Sequence, residues 1–337
     1  MDATSSSFPA ADELRIGFIG AGRLGKALAW SLSRAGLHVG AVASGSQVNA
    51  CALAEPIPGC VTADAQSVVD RCDLVFVTTP DGAITTTAAL LRWRPGMAVV
   101  HCSGVTEVSA LASASRDGAL VGGFHPMQTF GDPVVAMASL PGSTITVEAS
   151  EPLMTALEAL TQRLGCRVNR LPPGMRGRYH AAAGYTSQFI NALFGEATQI
   201  WRSWGATDED ALKALLPLAR GTLASIASAG IAGGMPGPVS RGDVSSVEKH
   251  VAALSQLGAG TLRFYCQMCA STVPLALAHG AIDAEVATRI LTALGAAQES
   301  AFAHDDASFI ASRAAVLPPT SASLHEPVKR AIQGKPT

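Results

Sequence analysis

The stretch "IGFIGAGRLGKALAWSLSRAG", Ile16 to Gly36, decides the fold. A short apolar run ends in Gly20, Gly22 and Gly25 with GxGxxG spacing. Leu24, Ala27, Leu28 and Leu32 then recur at helical intervals. A strand, a glycine turn and a helix in direct succession read as the first unit of a Rossmann fold. Gly20 permits the tight turn, Gly22 lets backbone approach a pyrophosphate, and Gly25 lets helix and strand pack closely. The helix start supplies N–H donors and the positive end of its dipole. The expected dinucleotide contacts therefore run through Gly20, Ala21, Gly22, Arg23, Leu24 and Gly25.

The next strand, "HVGAVAS", ends where an NAD site would carry Asp or Glu for the ribose 2′-hydroxyl. Here the chain reads Ala43, Ser44, Gly45, Ser46. Without the carboxylate nothing repels a 2′-phosphate, while Ser44 and Ser46 can donate hydrogen bonds and Arg23 can add a cation. NADP is the expected cofactor, NAD the less favoured one.

Further out, "DLVFVTT", "MAVVHCS" and "ALVGGF" are apolar runs separated by helical patterns, as in a parallel sheet. "STITVE" and "CRVNRL" extend it, flanking a helix marked by Leu153, Leu157, Leu160 and Leu164. After "LPPGMRG" the strand pattern stops and long Ala- and Leu-rich helices follow. The expected fold is an α/β N-terminal Rossmann domain with a mainly parallel sheet, followed by an all-α C-terminal domain. Boundaries are expected at 1–13 (disordered leader), 14–172 (Rossmann domain), 173–316 (helical substrate and dimerisation domain) and 317–337 (tail).

Composition narrows the function. The 337 residues carry 15% charged side chains and a formal net charge of -2, which offers no basic surface for nucleic acid or an anionic membrane. Gly, Ser, Arg or Pro interrupts every apolar run before the roughly 18 residues of a membrane span. Seven cysteines without regular spacing fit a reducing cytoplasm. Cys266 and Cys269, the one close pair, read as core packing because no further ligands complete a metal site.

Ligands of open parallel sheets sit at the carboxyl ends of the strands, so Thr79, Pro80, Asp81, Ser103 and Gly104 should border the cofactor. "GFHPMQTF" (Gly123 to Phe130), "RYHAAAGYTSQF" (Arg178 to Phe189) and "GPVSRGDVSSVEKH" (Gly237 to His250), with the glycine loop, resemble the Rossmann-like proteins that carry a DUF2520 C-terminal domain. The resemblance implies an NADP-dependent oxidoreductase distantly related to pyrroline-5-carboxylate reductases and 3-hydroxyacid dehydrogenases. The chain departs from the family pattern in "SGS" after the second strand, where an Arg-containing "SRS" is frequent, and in Gln188, where Asn is. "HPM" also resembles the His segment of prephenate dehydrogenases, with a Ser about twenty residues earlier.

Hydride transfer to C=O or C=N needs a proton donor beside the atom gaining charge, a task suited to His. His125 is expected in a Pro-fixed loop after a strand end. Ser103 is expected to hold its imidazole or the substrate oxygen, and His180 to close the pocket. Arg241 can grip a carboxylate. Asp243 can orient Arg241 or His250, or simply cap the following helix. Ser187 and Gln188 can complete the substrate site. The expected function is hydride transfer to or from a small carbonyl, hydroxyl or imine compound bearing a carboxylate, in a cleft between domains. A non-catalytic NADPH-binding sensor is the alternative. Apolar stretches such as "TLASIASAGIAGGM" predict a homodimer through the helical domain.

Overall fold

The computed structural model describes residues 8–302. The chain divides into two compact units between Ile190 and Asn191. That is later than the end of the strand pattern at Leu171, because the first helix after the sheet stays with the N-terminal unit.

The first unit alternates β1 (Arg15–Ile19), α1 (Arg23–Arg34), β2 (His38–Ala43), α2 (Gln47–Ala54), β3 (Val61–Thr62), α3 (Ala65–Arg71), β4 (Leu74–Val77), α4 (Ile84–Ala89), β5 (Ala98–His101) and α5 (Ala112–Arg116). It continues with β6 (Leu120–Met127), α6 (Pro133–Ser139), β7 (Thr144–Ala149), α7 (Leu153–Arg163), β8 (Arg167–Arg170) and α8 (Arg176–Tyr185). The eight strands lie in the order β3-β2-β1-β4-β5-β6-β7-β8. Only β6 and β7 pair antiparallel. The chain reverses its course between β1 and β4, and at such a switch point the loops at the strands' carboxyl ends separate and open a crevice.

The sheet has an apolar layer on each face. Phe18 and Phe76 stack at 5.1 Å, and Phe124 meets Phe76 edge-on at 5.3 Å. Leu28 and Leu32 of α1 and Leu157 and Leu160 of α7 complete that layer, and all are fully buried. Val68, Val75, Val77, Ile84, Val99 and Leu111 form the other. The helical stripes read from the sequence are thus the core-facing ones.

Three expectations change. β3 is two residues long and too short to leave a periodic signal. Residues 8–13 are not a leader, since Phe8 and Ala11 pack on the core; residues 1–7 and the tail 317–337 lie outside the described residues. His125 is not in a loop after a strand: it sits inside β6, opposite Thr146 of β7. Pro126 was read as a strand terminator, but β5 ends opposite Gly123, so beyond that point β6 has one pairing edge only. An edge tolerates a residue with no N–H.

The second unit is helical: α9 (Gln188–Arg202, which runs through the division), α10 (Asp208–Gly233), α11 (Val244–Leu254), α12 (Ala259–Ala278) and α13 (Ala284–Phe302). Val247, Cys266, Val273, Ile290 and Leu294 centre its core. α10 is different. Ala211 is its only buried residue, and Leu218, Leu223 and Ile231 are 64%, 58% and 67% exposed. By length and composition α10 is long and apolar enough to cross a membrane, which the sequence reading had denied to every run. Despite Gly, Ser, Arg220 and Pro217, an 18-residue window of the helix has a mean hydropathy of 1.3.

Candidate active site

The glycine loop divides its tasks among three positions. Gly20 has φ +113°, and a Cβ there would lie 2.6 Å from the Thr78 carbonyl carbon. A Cβ at Gly25 would meet the Gly20 carbonyl oxygen at 2.6 Å, so helix and turn touch through backbone alone. Thr78 Oγ1 donates to that same oxygen at 2.7 Å and locks the turn. At Gly22, by contrast, a Cβ would meet nothing within 4 Å. The first two glycines serve protein packing, and the third faces open space at the start of α1. No side chain caps that first turn, so its N–H groups and dipole are available to an anion.

A cleft of about 740 Å³ begins here. Ala21, Arg23, Leu24, Ser44, Thr79, Pro80 and Asp81 line it, and it ends at Cys102 and Ser103 beyond β5. Of the residues expected to border the cofactor, Gly25, Ser46 and Gly104 lie off this lining: Gly25 is packed against the Gly20 turn, Gly104 follows the lining residue Ser103, and Ser46 caps α2, accepting from Asn49 N–H at 3.3 Å. No carboxylate stands in the Ala43–Ser46 segment at the end of β2. Asp64, which borders the cleft near β3, is turned onto Ser67, whose N–H and hydroxyl donate to it at 2.9 and 2.6 Å. Thr79 Oγ1 is buried and has no partner among the described residues.

Next to the cleft's end lies a polar layer between sheet and helix. Side chains alternate along a strand, so Ile145 and Val147 of β7 enter the apolar core while Thr146 and Glu148 face the other way. On β6 Phe124 enters the core and His125 shares the polar face. α8 lies on that face through hydrogen bonds. The His125 Nδ1 and the Tyr179 hydroxyl are 2.7 Å apart. Arg176 is fully buried, with Nε donating to Glu148 at 2.6 Å and Nη1 to the Ser103 carbonyl at 2.8 Å. Arg176 fits because position 123 is glycine: any Cβ there would collide with its guanidinium.

The two candidate imidazoles converge. His125 and His180 have ring centroids 6.1 Å apart, nearly perpendicular. A Cβ on Gly104 would collide with His180 and lie 3.0 Å from His125 Nε2. Gly104 follows Ser103 at the end of β5, so both rings stand one residue from the cleft lining. Ser103 is placed otherwise than expected. Its hydroxyl accepts from Thr106 N–H at 3.0 Å and meets Thr106 Oγ1 at 2.9 Å, closing its own turn. The partner of His125 is Tyr179, a residue the sequence reading passed over although it adjoins His180.

Burial pushes the His125 pKa down to about 4, helped by His180 and the Arg176 cation. His101, wholly buried on β5, is pushed down to about 3, chiefly by burial. Tyr179 is raised, mainly by burial. At neutral pH the layer therefore holds two neutral imidazoles and a neutral phenol.

The remaining expected residues are distributed as follows. Ser187 and Gln188 are exposed near the end of the first unit, and the Ser187 hydroxyl donates to Ala183 O at 2.8 Å. Arg241 is exposed in the second unit. Asp243 caps α11, accepting from Ser246 N–H at 3.0 Å, so of its three readings the cap is realised. His250 Nδ1 and the Tyr265 hydroxyl are 2.9 Å apart. Cys266 and Cys269 are buried in the helical core. Among the described residues no group of three His, Cys, Asp or Glu could hold a metal ion.

Residues 2–126 match the family described as Rossmann-like domain, and residues 143–272 match the domain of unknown function DUF2520. The chain is a Rossmann-like and DUF2520 domain protein. The division of labour in the site follows these two regions: glycine loop and His125 lie in the first, Glu148, Arg176, Tyr179 and His180 in the DUF2520 region. Among solved structures, this DUF2520 protein is similar to a protein from Thermotoga maritima (23% identity, TM-score 0.65, 78% of this chain and 99% of that one). It is also similar to a reductive aminase from Aspergillus terreus in complex with NADPH and ethyl-5-oxohexanoate (17%, 0.55, 89% and 99%). A 1-pyrroline-5-carboxylate reductase from Streptococcus pyogenes is a third (14%, 0.52, 85% and 98%). At these identities the likeness is one of fold. No curated protein matches the chain.

Proposed function

We propose that this protein is an NADP-dependent oxidoreductase that moves a hydride between the nicotinamide and a small carbonyl, hydroxyl or imine compound. The observation that carries this reading is the convergence of His125 and His180 on Gly104, so close that a Cβ there would meet both rings, next to the end of a glycine-cradled cleft. The cradle fits a dinucleotide: Gly22 is open where phosphate would lie, and the uncapped helix start offers donors to it. When bound, NADPH supplies the hydride.

The protein's own groups handle the proton. With Nδ1 accepting from the Tyr179 hydroxyl, His125 keeps its proton on Nε2, beside Gly104. A neutral imidazole in that place polarises a carbonyl or imine and supplies its Nε2 proton as negative charge develops, with Nδ1 taking the Tyr179 hydroxyl proton in the same step; the reverse reaction runs both transfers backwards, so that Nε2 is free when it receives a proton. His180, more exposed, closes the same corner. A carboxylate on the substrate is assigned to Arg241, and Ser187 and Gln188 to substrate contacts.

The absence of an acidic residue at the end of β2, with Ser44 and Arg23 on the cleft wall, supports NADP over NAD. The exposed apolar length of α10 supports a homodimer, because a soluble helix of that character needs a covering surface. Seven free cysteines fit a cytoplasmic setting.

The experiment is a screen of keto acids, cyclic imines and hydroxy acids that follows nicotinamide absorbance with both cofactors. Turnover with NADPH by one of these classes is expected, and Ser44→Asp should shift preference toward NADH. Tight NADPH binding without turnover of any class would favour a sensor.

A further inference from the structure

Arg176 buries a full positive charge where the proposed reaction has no evident use for one. A buried Arg–Glu pair gains little stability over apolar residues of similar size, so its geometry invites a functional account. One arm of the guanidinium holds Glu148 of β7, and another holds the Ser103 carbonyl just past the end of β5. The peptide that follows, Ser103 to Gly104, is therefore fixed in orientation.

That orientation follows from strand geometry. Cys102 N–H donates to Val77 O, so it points toward β4. Along a strand these directions alternate by residue. The Ser103 carbonyl therefore points to the β6 side, where Arg176 lies over Gly123. In a trans peptide the N–H opposes the C=O, which turns the Gly104 N–H back toward β4 and the end of the cleft. Gly104 is buried, and among the described residues nothing accepts its N–H. Buried backbone donors are almost always partnered. On the β4 side Thr79 Oγ1, buried in the cleft lining, is likewise without a partner among the described residues.

We propose that Arg176 is a positioning residue. By drawing the Ser103 carbonyl inward, it aims the Gly104 N–H at the end of the cleft as the donor to the carboxamide oxygen of a bound nicotinamide. The proposal rests on the dinucleotide reading above and adds which part of the cofactor this corner holds. It also explains Gly123, the position that leaves room for the guanidinium.

The test is a set of binding titrations with three probes: NADP⁺, its thionicotinamide analogue, whose C=S is a poor acceptor, and 2′-phospho-ADP-ribose, which lacks the nicotinamide. One variant is Arg176→Gln with Glu148→Gln, which removes both charges and leaves none buried alone. The other is Arg176→Lys, whose compact ammonium lacks the guanidinium fork and should keep Glu148 while releasing Ser103. The native protein should prefer NADP⁺ over the thio analogue by about five- to tenfold, the worth of one hydrogen bond. In either folded variant the preference should vanish, with 2′-phospho-ADP-ribose bound as in the native protein. No preference in the native protein, or a preference that survives in the variants, overturns the proposal. Loss of 2′-phospho-ADP-ribose binding in both variants also overturns it, because Arg176 would then be supporting the unit as a whole. If the native protein does not bind 2′-phospho-ADP-ribose, the dinucleotide reading falls, and this inference with it.

Discussion

His125 and Tyr179 are joined side chain to side chain, Nδ1 to hydroxyl at 2.7 Å, linking β6 to α8. The bond fixes the ring's rotation and directs Nε2 to Gly104. Tyr179→Phe removes the partner and leaves a largely buried ring nitrogen unsatisfied, at a cost of about 1–3 kcal/mol. Turnover should fall about tenfold or more from the loosened imidazole, with NADPH affinity unchanged. Steady-state kinetics and denaturant unfolding check both parts.

Gly104→Ala separates the site from the fold. A Cβ there collides with His180, whose exposed ring can swing aside, and crowds His125 Nε2 at 3.0 Å. The predicted outcome is a stability change within about 1 kcal/mol and a loss of turnover up to about 10²-fold. Unfolding midpoints together with turnover numbers read the two effects independently.

Acid should weaken the native unit through its buried imidazoles. A His held near 4 when folded and near 6.5 when unfolded binds its proton only in the unfolded chain between those values. Its stabilising contribution is therefore complete above about pH 6.5 and is lost as pH falls through the folded value near 4. His101 extends the window toward 3. The His125 share is on the order of 3 kcal/mol. Urea unfolding between pH 7 and pH 3 should show the decline, and His101→Phe should lower its slope throughout and flatten the part below pH 4.

α10 leads to the association prediction. With Leu218, Leu223 and Ile231 all more than half exposed in the single chain, a second copy of the chain is the expected cover. Sedimentation at micromolar concentration should give twice the monomer mass, and Leu223→Glu with Ile231→Glu should shift the protein to monomer. Monomeric native protein, or material recovered only with membranes, would contradict this.

How far the sequence revealed this site depends on the kind of signal. The glycine loop was legible because its demands fall at fixed spacing: Gly20 and Gly25 are required by packing against backbone, and Gly22 leaves open space at the start of α1. The helical stripes of α1 and α7 were legible for the same reason. Arg176 was not: an arginine beside a Pro–Gly linker reads as a solvated charge, and its partner Glu148 lies 28 residues away on a strand. "STITVE" was legible as a strand of the same sheet, but its alternation of Ile145 and Val147 with Thr146 and Glu148 was not read as a polar face. What that face would hold required knowing that α8 lies on it. For Ser103 the strand end gave the residue's place on the cleft lining but not the orientation of its hydroxyl, which pairs with Thr106 and not with His125.

The most direct test of the central claim is pre-steady-state oxidation of bound NADPH by a substrate found in the screen, native against His125→Asn. General acid–base groups contribute about 10²–10⁴-fold, while the proposed phosphate site is the glycine loop, away from His125. The account predicts a fall in the hydride-transfer step of that order with NADPH affinity nearly unchanged. A variant that transfers hydride at the native rate, or that loses cofactor binding and stability together, would contradict it.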